Sequence, residues 1–247
     1  MPEYDFTSHR LFVEPTLTMA AQFEPDRAQA NYLLNVLRLK QGDQVLLFNG
    51  RDGEWLADVL PQGRKKTLLV VTERTRAQTR PYDFQYLFAP LKQARQDYMI
   101  QKAVEMGAGV LQPVLTEFTQ MRKVNLERME THAIEAASQC GILTLPKIQK
   151  PMALMQAIEA IDSKRQIIFC DEDAAVTSPL KVLREIKSAP MALLIGPEGG
   201  FSVEERAALR KQKNVISISL GPRILRADTA AVAAMALVQA ELGDWQN

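Results

Sequence analysis

Cysteine is scarce in this chain: Cys140 and Cys170 are its only two among 247 residues. They stand far apart in apolar patterns. They support neither a disulfide framework nor a metal site, and they fit reduced core positions. Histidine is equally rare, with His9 before the first expected strand and His132 on an expected surface helix. No apolar run is long enough to span a membrane. The acidic opening Met1–Phe6 lacks the apolar core of a signal peptide, so the expected location is the cytoplasm. Two nucleotide-binding fingerprints are also missing. No Gly-x-Gly-x-x-Gly follows the first strand, and no phosphate-loop Gly-Lys-Ser/Thr exists, which removes the usual marks of a dehydrogenase or a kinase. Net charge is only +1; such a balance neither announces nor excludes a nucleic-acid partner, because patches decide that question. There is no internal repeat and no low-complexity tract.

What is present is the composition of a soluble globular protein, 47% hydrophobic and 24% charged, long enough for one large domain or two ordinary ones. From His9 to about Thr75 the pattern is β-rich. Short apolar runs at Leu11–Val13, Val45–Phe48, Trp55–Leu60 and Thr67–Thr72 are separated by the turns Gly42-Asp43 and Asn49-Gly50. One helix interrupts them, capped by Asp26, with Tyr32, Leu33, Val36 and Leu37 at helical spacing. This predicts a small barrel-like domain. Arg64, Lys65 and Lys66 suit a solubilising hairpin tip, and Arg74, Arg76 and Arg80 fill a polar connector that ends at Pro81.

Beyond the connector, strands and helices alternate. Strands are expected at Phe84–Ala89, Val110–Leu115, Gln166–Cys170, Met191–Ile195 and Val215–Leu220. One helix carries Ile100, Ala103 and Val104 and ends at Gly107. A second carries Leu126, Met129, Ala133, Ala136, Ala137 and Cys140 and stops at Gly141. Shorter helices are expected over Ala153–Ile161 and Pro179–Ile186. The alternation predicts an α/β domain with a largely parallel sheet covered on both faces.

The stretch Leu193–Leu242 organises this domain. Two apolar strands each stop at a glycine turn and restart as a helix. Ser202 with Glu205 forms a capping box for the first helix, and Asp228 or Thr229 is placed to cap the second. Open α/β sheets bind ligands beyond the carboxyl ends of their strands. Leu194, Ile195, Gly196, Pro197, Gly199, Gly200, Leu220, Gly221, Ile224 and Leu225 are therefore the candidate cofactor-binding residues. The glycines let a ligand approach the backbone, and the apolar side chains offer walls for a flat ring.

The ordered pair Ile195-Gly-Pro-Glu-Gly-Gly-Phe-Ser202 and Leu220-Gly-Pro-Arg-Ile-Leu-Arg-Ala-Asp-Thr-Ala230 resembles the ribosomal RNA small subunit methyltransferase E family. So do His9–Val13, Val36–Asp43 and Gln101–Gly107, so the resemblance runs through most of the chain. It implies a SPOUT-type, trefoil-knotted α/β methyltransferase domain over residues 78–247, with a PUA-like RNA-binding β-barrel over 1–77. Sequence physics alone would propose no knot. The resemblance further implies S-adenosylmethionine as cofactor, N3 of a uridine in 16S rRNA as the methylated atom, the small ribosomal subunit as partner and a homodimer, with no metal and no membrane. An RNA-binding module without catalysis, or a SPOUT enzyme acting on another RNA, are the alternatives.

The chemistry points to particular side chains. A uracil N3 becomes nucleophilic only after losing its proton, and its charge then spreads onto the flanking oxygens. Arg223 and Arg226 are candidates to stabilise that charge or to hold a phosphate. Glu198 is the nearby carboxylate that could accept the proton, or else brace its loop. Arg10, Arg38, Lys40 and Arg51 are the candidate RNA contacts. The chain departs from the family pattern in places: Phe118 replaces a basic residue, and Ser138 and Ile142 interrupt a Glu-Gln-x-Gly-Arg run. Asp228 stands where glutamate is more usual. The apolar run Ala230–Val238 predicts a helix buried on nearly every side, for which a twin subunit is the economical cover.

Overall fold

The computed structural model describes residues 8–175, 178–186 and 190–246; the acidic stretch Met1–Phe6 lies outside them. The chain divides into two compact units. The first gathers Met1–Arg80 with Ile134–Leu145, and the second gathers Pro81–Ala133 with Pro146–Asn247.

In the first unit the strands are β1 (Arg10–Phe12), β2 (Gln22–Phe23), β3 (Gln44–Phe48), β4 (Glu54–Pro61) and β5 (Thr67–Arg76), with helix α1 (Arg27–Asn31) after β2. They form one sheet in the order β1-β3-β4-β5-β2. Only the β1–β3 pair is parallel. The alternation along β3, β4 and β5 sends Val45 and Leu47, Ala57 and Val59, and Leu69 and Val71 inward. There they meet Leu11, Val13, Leu17 and Leu33. Each fully buried aliphatic side chain of this size contributes roughly 1.5–3 kcal/mol before ordering costs are subtracted.

Asp26 caps α1 as expected and does so reciprocally. The Gln29 backbone N–H donates to Asp26 Oδ1 at 2.7 Å, and the Asp26 N–H donates to Gln29 Oε1 at 3.4 Å. The helix then widens into a π turn over Tyr32–Val36. Leu37 donates to the Tyr32 carbonyl five residues back, which shifts the helical register. Leu33 stays fully buried, but Val36, expected on the apolar face, is 60% exposed.

An ion cluster sits inside this unit. The Glu54 side chain is 2% exposed and accepts from Arg10 Nε at 2.8 Å and Arg76 Nη1 at 3.3 Å. Thr75 Oγ1 donates to its other oxygen at 3.0 Å. Arg76 also donates to the carbonyl of Gly141 at 2.9 Å, and Gln78 donates to the carbonyl of Leu143. These bonds attach the Ile134–Leu145 segment to the sheet.

The second unit contains β6 (Phe84–Phe88), α2 (Gln93–Glu105), β7 (Val110–Leu115), α3 (Leu126–Cys140), β8 (Lys147–Ile148), β9 (Met152–Ala153) and α4 (Leu154–Glu159). It continues with β10 (Gln166–Cys170), α5 (Pro179–Arg184), β11 (Met191–Ile195), α6 (Val203–Arg210), β12 (Val215–Ile218) and α7 (Ala227–Leu242). The second half of α3 belongs to the first unit. The strand order is β12-β10-β11-β6-β7-β8, with β9 beside β7. Every pair is parallel. The winding reverses between β6 and β11, the position at which an open parallel sheet leaves a crevice. All of β11 is buried. Leu87, Val114, Ile167, Phe169, Ala192 and Leu194 form the core with α4, Phe201 and Leu209.

Several expectations change. Helix α7 begins one residue earlier than anticipated, and neither Asp228 nor Thr229 caps it: its N-cap is Arg226, with no side-chain cap bond. The Asp228 carboxylate instead accepts from the Thr229 N–H inside the first turn. Cys140 is exposed and Cys170 half-buried, because the last turn of α3 presents Gln139 and Cys140 to solvent. Burial pushes the Cys170 thiol pKa far up, with the Asp171 charge adding to it. His132 is half-buried, with Nε2 at 3.2 Å from Asp97 Oδ1. The two-residue strands β2, β8 and β9 carry no pattern long enough to read. Among the described residues, no helix is long and apolar enough to cross a membrane.

The Glu54→Ala variant is expected to lose about 3–5 kcal/mol of stability, because it breaks the buried ion pair with the Arg10 side chain. That side chain is only 6% exposed. Urea unfolding of the two proteins checks it, and a loss under 1 kcal/mol would show the cluster to be dispensable.

Candidate active site at the carboxyl ends of the strands

Strand β11 ends at Ile195 and the chain turns at once through Gly196–Gly200. The Gly200 N–H donates to the Pro197 carbonyl at 2.9 Å, and Gly200 has φ of +70°, a conformation that favours glycine. Phe201 then drops back into the core, where its ring meets Phe169 edge-on at 4.9 Å. Helix α6 starts behind it with the expected capping box: Glu205 N–H to Ser202 Oγ at 3.2 Å, and Ser202 N–H to Glu205 Oε2 at 3.0 Å.

The glycines of this loop serve different purposes. A Cβ at Gly196 would stand 2.4 Å from the Phe201 ring, and one at Gly199 would stand 3.1 Å from Cβ of Phe118. Both bare backbones are therefore already used by the protein's own side chains. Gly221 differs: its φ is +105° and a Cβ there would meet nothing within 4 Å, so space remains over its backbone. The expected apolar walls also divide. Leu194, Ile195 and Pro197 are buried, Leu220 and Leu225 are half-buried, and Ile224 is 99% exposed.

The loop after β12 carries Arg223 and Arg226, both exposed. Glu198 is held by Arg95 of α2, with Nη1 at 2.7 Å from Oε1. The residues 103 apart that form this pair come from the segments that follow β6 and β11, which run side by side. The pair ties Glu198 to the neighbouring helix.

A second brace gave no motif in the sequence. Strand β10 lies between β11 and β12, and Asp171 follows it with a side chain that is fully buried. Its carboxylate takes Arg210 Nε at 3.0 Å, and Arg206 Nε lies at 3.3 Å. Arg206 also reaches Glu172. The Asp171 carboxylate holds the Arg210 guanidinium pKa above its ordinary value, chiefly through their hydrogen bond. Arginines four apart on α6, facing an acidic run at a strand end, are the signal that could have found it.

In the first unit Arg10 is buried against Glu54, so it supports the sheet and is not presented outward. Arg38 is exposed in a left-handed conformation with φ of +59°, Lys40 is exposed beside the turn closed by its N–H to Asp43 Oδ2 at 2.7 Å, and Arg51 is half-exposed while donating to the Glu14 carbonyl. Among the described residues, no group of three or more His, Cys, Asp or Glu side chains is placed to hold a metal ion.

A family model described as an RNA methyltransferase domain matches residues 78–239, and one described as an RNA methyltransferase PUA domain matches 25–72. The ribosomal RNA small subunit methyltransferase E of Rickettsia conorii is 31% identical over 94% of this chain and 95% of its own. This chain belongs to the ribosomal RNA small subunit methyltransferase E family. The Synechocystis member is 32% identical over 95% of this chain and 78% of its own length. Among solved structures, the family member from Neisseria gonorrhoeae, bound to S-adenosyl methionine, is 25% identical with a TM-score of 0.84 over 96% of this chain and 99% of that one. A methyltransferase of Legionella pneumophila in complex with the same cofactor is 27% identical with a TM-score of 0.82, over 96% and 99%. The family's α/β fold with a parallel sheet and a PUA-like N-terminal domain is the fold described above.

The Gly196→Ala variant tests how the first loop is built. Its new methyl group meets a buried ring, so overpacking should cost about 1–3 kcal/mol, read as a lower denaturation midpoint. The double variant Gly196→Ala with Phe201→Leu should recover part of that loss.

Proposed function

We propose that the protein is an S-adenosylmethionine-dependent methyltransferase of the SPOUT class that methylates N3 of a uridine in 16S rRNA of the small ribosomal subunit, in the cytoplasm. One observation carries this reading. Two glycine loops lie at the carboxyl ends of strands flanking β10, in a chain whose fold matches family members solved with that cofactor. The residues present fit such a group. The open backbone at Gly221 and the half-buried Leu220 and Leu225 offer a small apolar seat, and the Gly196–Gly200 turn stands at the end of β11, on the other side of β10.

The bound cofactor supplies an activated methyl group; the protein supplies position and charge. Leu220, Gly221 and Leu225, with the 196–200 loop, hold and orient it. Arg223 and Arg226 face solvent from the second loop and stabilise the negative charge that spreads over the uracil oxygens once N3 is deprotonated. Glu198, engaged by Arg95, is the carboxylate at hand to accept the N3 proton, and it also braces the first loop. Residues 78–247 constitute the methyltransferase domain. Residues 1–77 hold structured RNA through Arg38, Lys40 and Arg51.

The same reading includes a knot and a dimer. The chain leaves β12 at the sheet edge, and α7 then returns against α2, α5 and β11, the course a threaded C-terminal segment needs. Ala231, Ala234, Met235 and Val238 are buried there, whereas Val232, Ala233, Ala236 and Leu237 remain only half-buried. This second apolar stripe is the face assigned to a twin subunit. Sedimentation at micromolar concentration should give a dimer, and a monomer that still transfers methyl groups would defeat that assignment.

Unmodified small ribosomal subunits incubated with labelled S-adenosylmethionine should take up label at one uridine N3. The Arg226→Ala variant should lower the rate roughly 100-fold or more with unchanged cofactor affinity. Removing Arg38 or Lys40 should lower the salt slope of RNA binding by about 0.7–0.9 unit each. Label at another atom, or none, overturns the assigned reaction.

A further inference from the structure

The turn after β7 reads Thr116-Glu117-Phe118-Thr119, and it is unusually well tied. Thr119 Oγ1 accepts from the Thr116 N–H at 2.9 Å and lies 2.9 Å from Thr116 Oγ1, while the Thr119 N–H returns to the Thr116 carbonyl at 3.2 Å. Both threonines are buried. The turn is also fastened to the first turn of α6, which follows the glycine loop. The Glu117 N–H donates at 2.8 Å to Glu205 Oε1, while the other oxygen of the same carboxylate caps α6. At the apex Phe118 packs its Cβ over Gly199, yet the side chain remains 43% exposed.

A rigid backbone presenting a large aromatic ring to water needs an explanation, because the chain buries five of its other phenylalanines in core positions: Phe48, Phe84, Phe88, Phe169 and Phe201 are all 2% exposed or less. The residues that follow are Met121, 38% exposed, and the exposed Arg122 and Lys123. An exposed ring with neighbouring cations is the composition that binds single-stranded nucleic acid: the ring stacks on a base and the cations meet phosphates. It stands beside a loop of the site described above. A nitrogen on the pairing edge of a base can be reached only when the nucleotide is unpaired or turned out of its stack.

We propose that Phe118 is the platform on which an unstacked base of the RNA substrate lies, either the target uracil or its immediate neighbour, with Arg122 and Lys123 holding the adjoining phosphates. This rests on the methyltransferase reading. It makes Phe118 a positioning residue for substrate, and it assigns a role to the place where this chain departs from the basic residue expected there. A ring accepts any base, so the contact orders the strand without reading its sequence.

The full chain, with S-adenosylmethionine and unmodified small ribosomal subunits, provides the test. Phe118→Leu keeps an apolar side chain against Gly199 and removes the ring; Phe118→Tyr and Phe118→Trp keep the ring. The leucine variant should lose roughly 10- to 100-fold in kcat/KM for the RNA, mostly through KM, with unchanged cofactor affinity by calorimetry and unchanged melting temperature. The tyrosine and tryptophan variants should stay within a few-fold of wild type, and the introduced tryptophan should lose fluorescence when RNA is added. A leucine variant as active as wild type, or one that loses cofactor affinity in parallel with turnover, overturns the platform and leaves the reaction assignment standing. A wild-type protein that transfers no methyl group to the subunit defeats the reaction assignment and the platform with it.

Discussion

The contact between the Phe201 ring and the bare backbone of Gly196 governs the site. Only six positions separate the end of β11 from the residue that re-enters the core, so the loop cannot wander. Phe201 pulls it down onto Phe169, the capping box starts α6 immediately afterwards, and the tight turn must project Glu198 and Gly199 outward. Any side chain at Gly196 would lift the ring and loosen everything downstream of it. The loop is thereby built as part of the core, and a rigid scaffold positions binding groups better than a free loop does.

Polar ties then hold that loop and the helix α6 that follows it. Arg95 comes from α2, the buried Asp171 from the end of β10, and the backbone of Glu117 from the turn after β7. Glu205 joins two of these tasks, capping α6 with one oxygen and holding the Glu117 N–H with the other. A carboxylate that accepts several N–H bonds is a strong and directional tie. Such a network holds a loop in one geometry, which a methyl transfer needs because the reacting atoms must be aligned before reaction. The PUA-like unit uses the same device for a different end: Glu54 gathers Arg10, Arg76 and Thr75 inside the sheet. Arg10 is consumed by structure, and outward-facing charge is left to Arg38, Lys40 and Arg51.

Local signals were legible wherever a few neighbouring residues decide the outcome. The boxes Asp26/Gln29 and Ser202/Glu205 start their helices, and Gly107 and Gly141 end theirs with positive φ. Apolar runs marked every strand of four or more residues. The π turn at Tyr32–Val36 escaped, because a helical apolar spacing is equally compatible with the α register. The cap of α7 escaped because two acceptable capping residues stood one and two positions inside its actual start. Strands of two residues escaped because a period needs more than two positions to show itself.

For the site, the ordered Ile195–Ser202 and Leu220–Ala230 motifs carried the resemblance to the family and to its cofactor, and the two loops were legible because each glycine turn at a strand end is a local matter of backbone freedom. Tertiary structure decided which of those residues remain free. Gly196 and Gly199 are covered by Phe201 and Phe118, Glu198 is claimed by Arg95, and Arg10 is claimed by Glu54. These partners lie far away along the chain. Pairing of charges and contact of rings depend on distance in space, and a parallel sheet wound β12-β10-β11-β6-β7-β8 brings together strand ends whose separation no local pattern records.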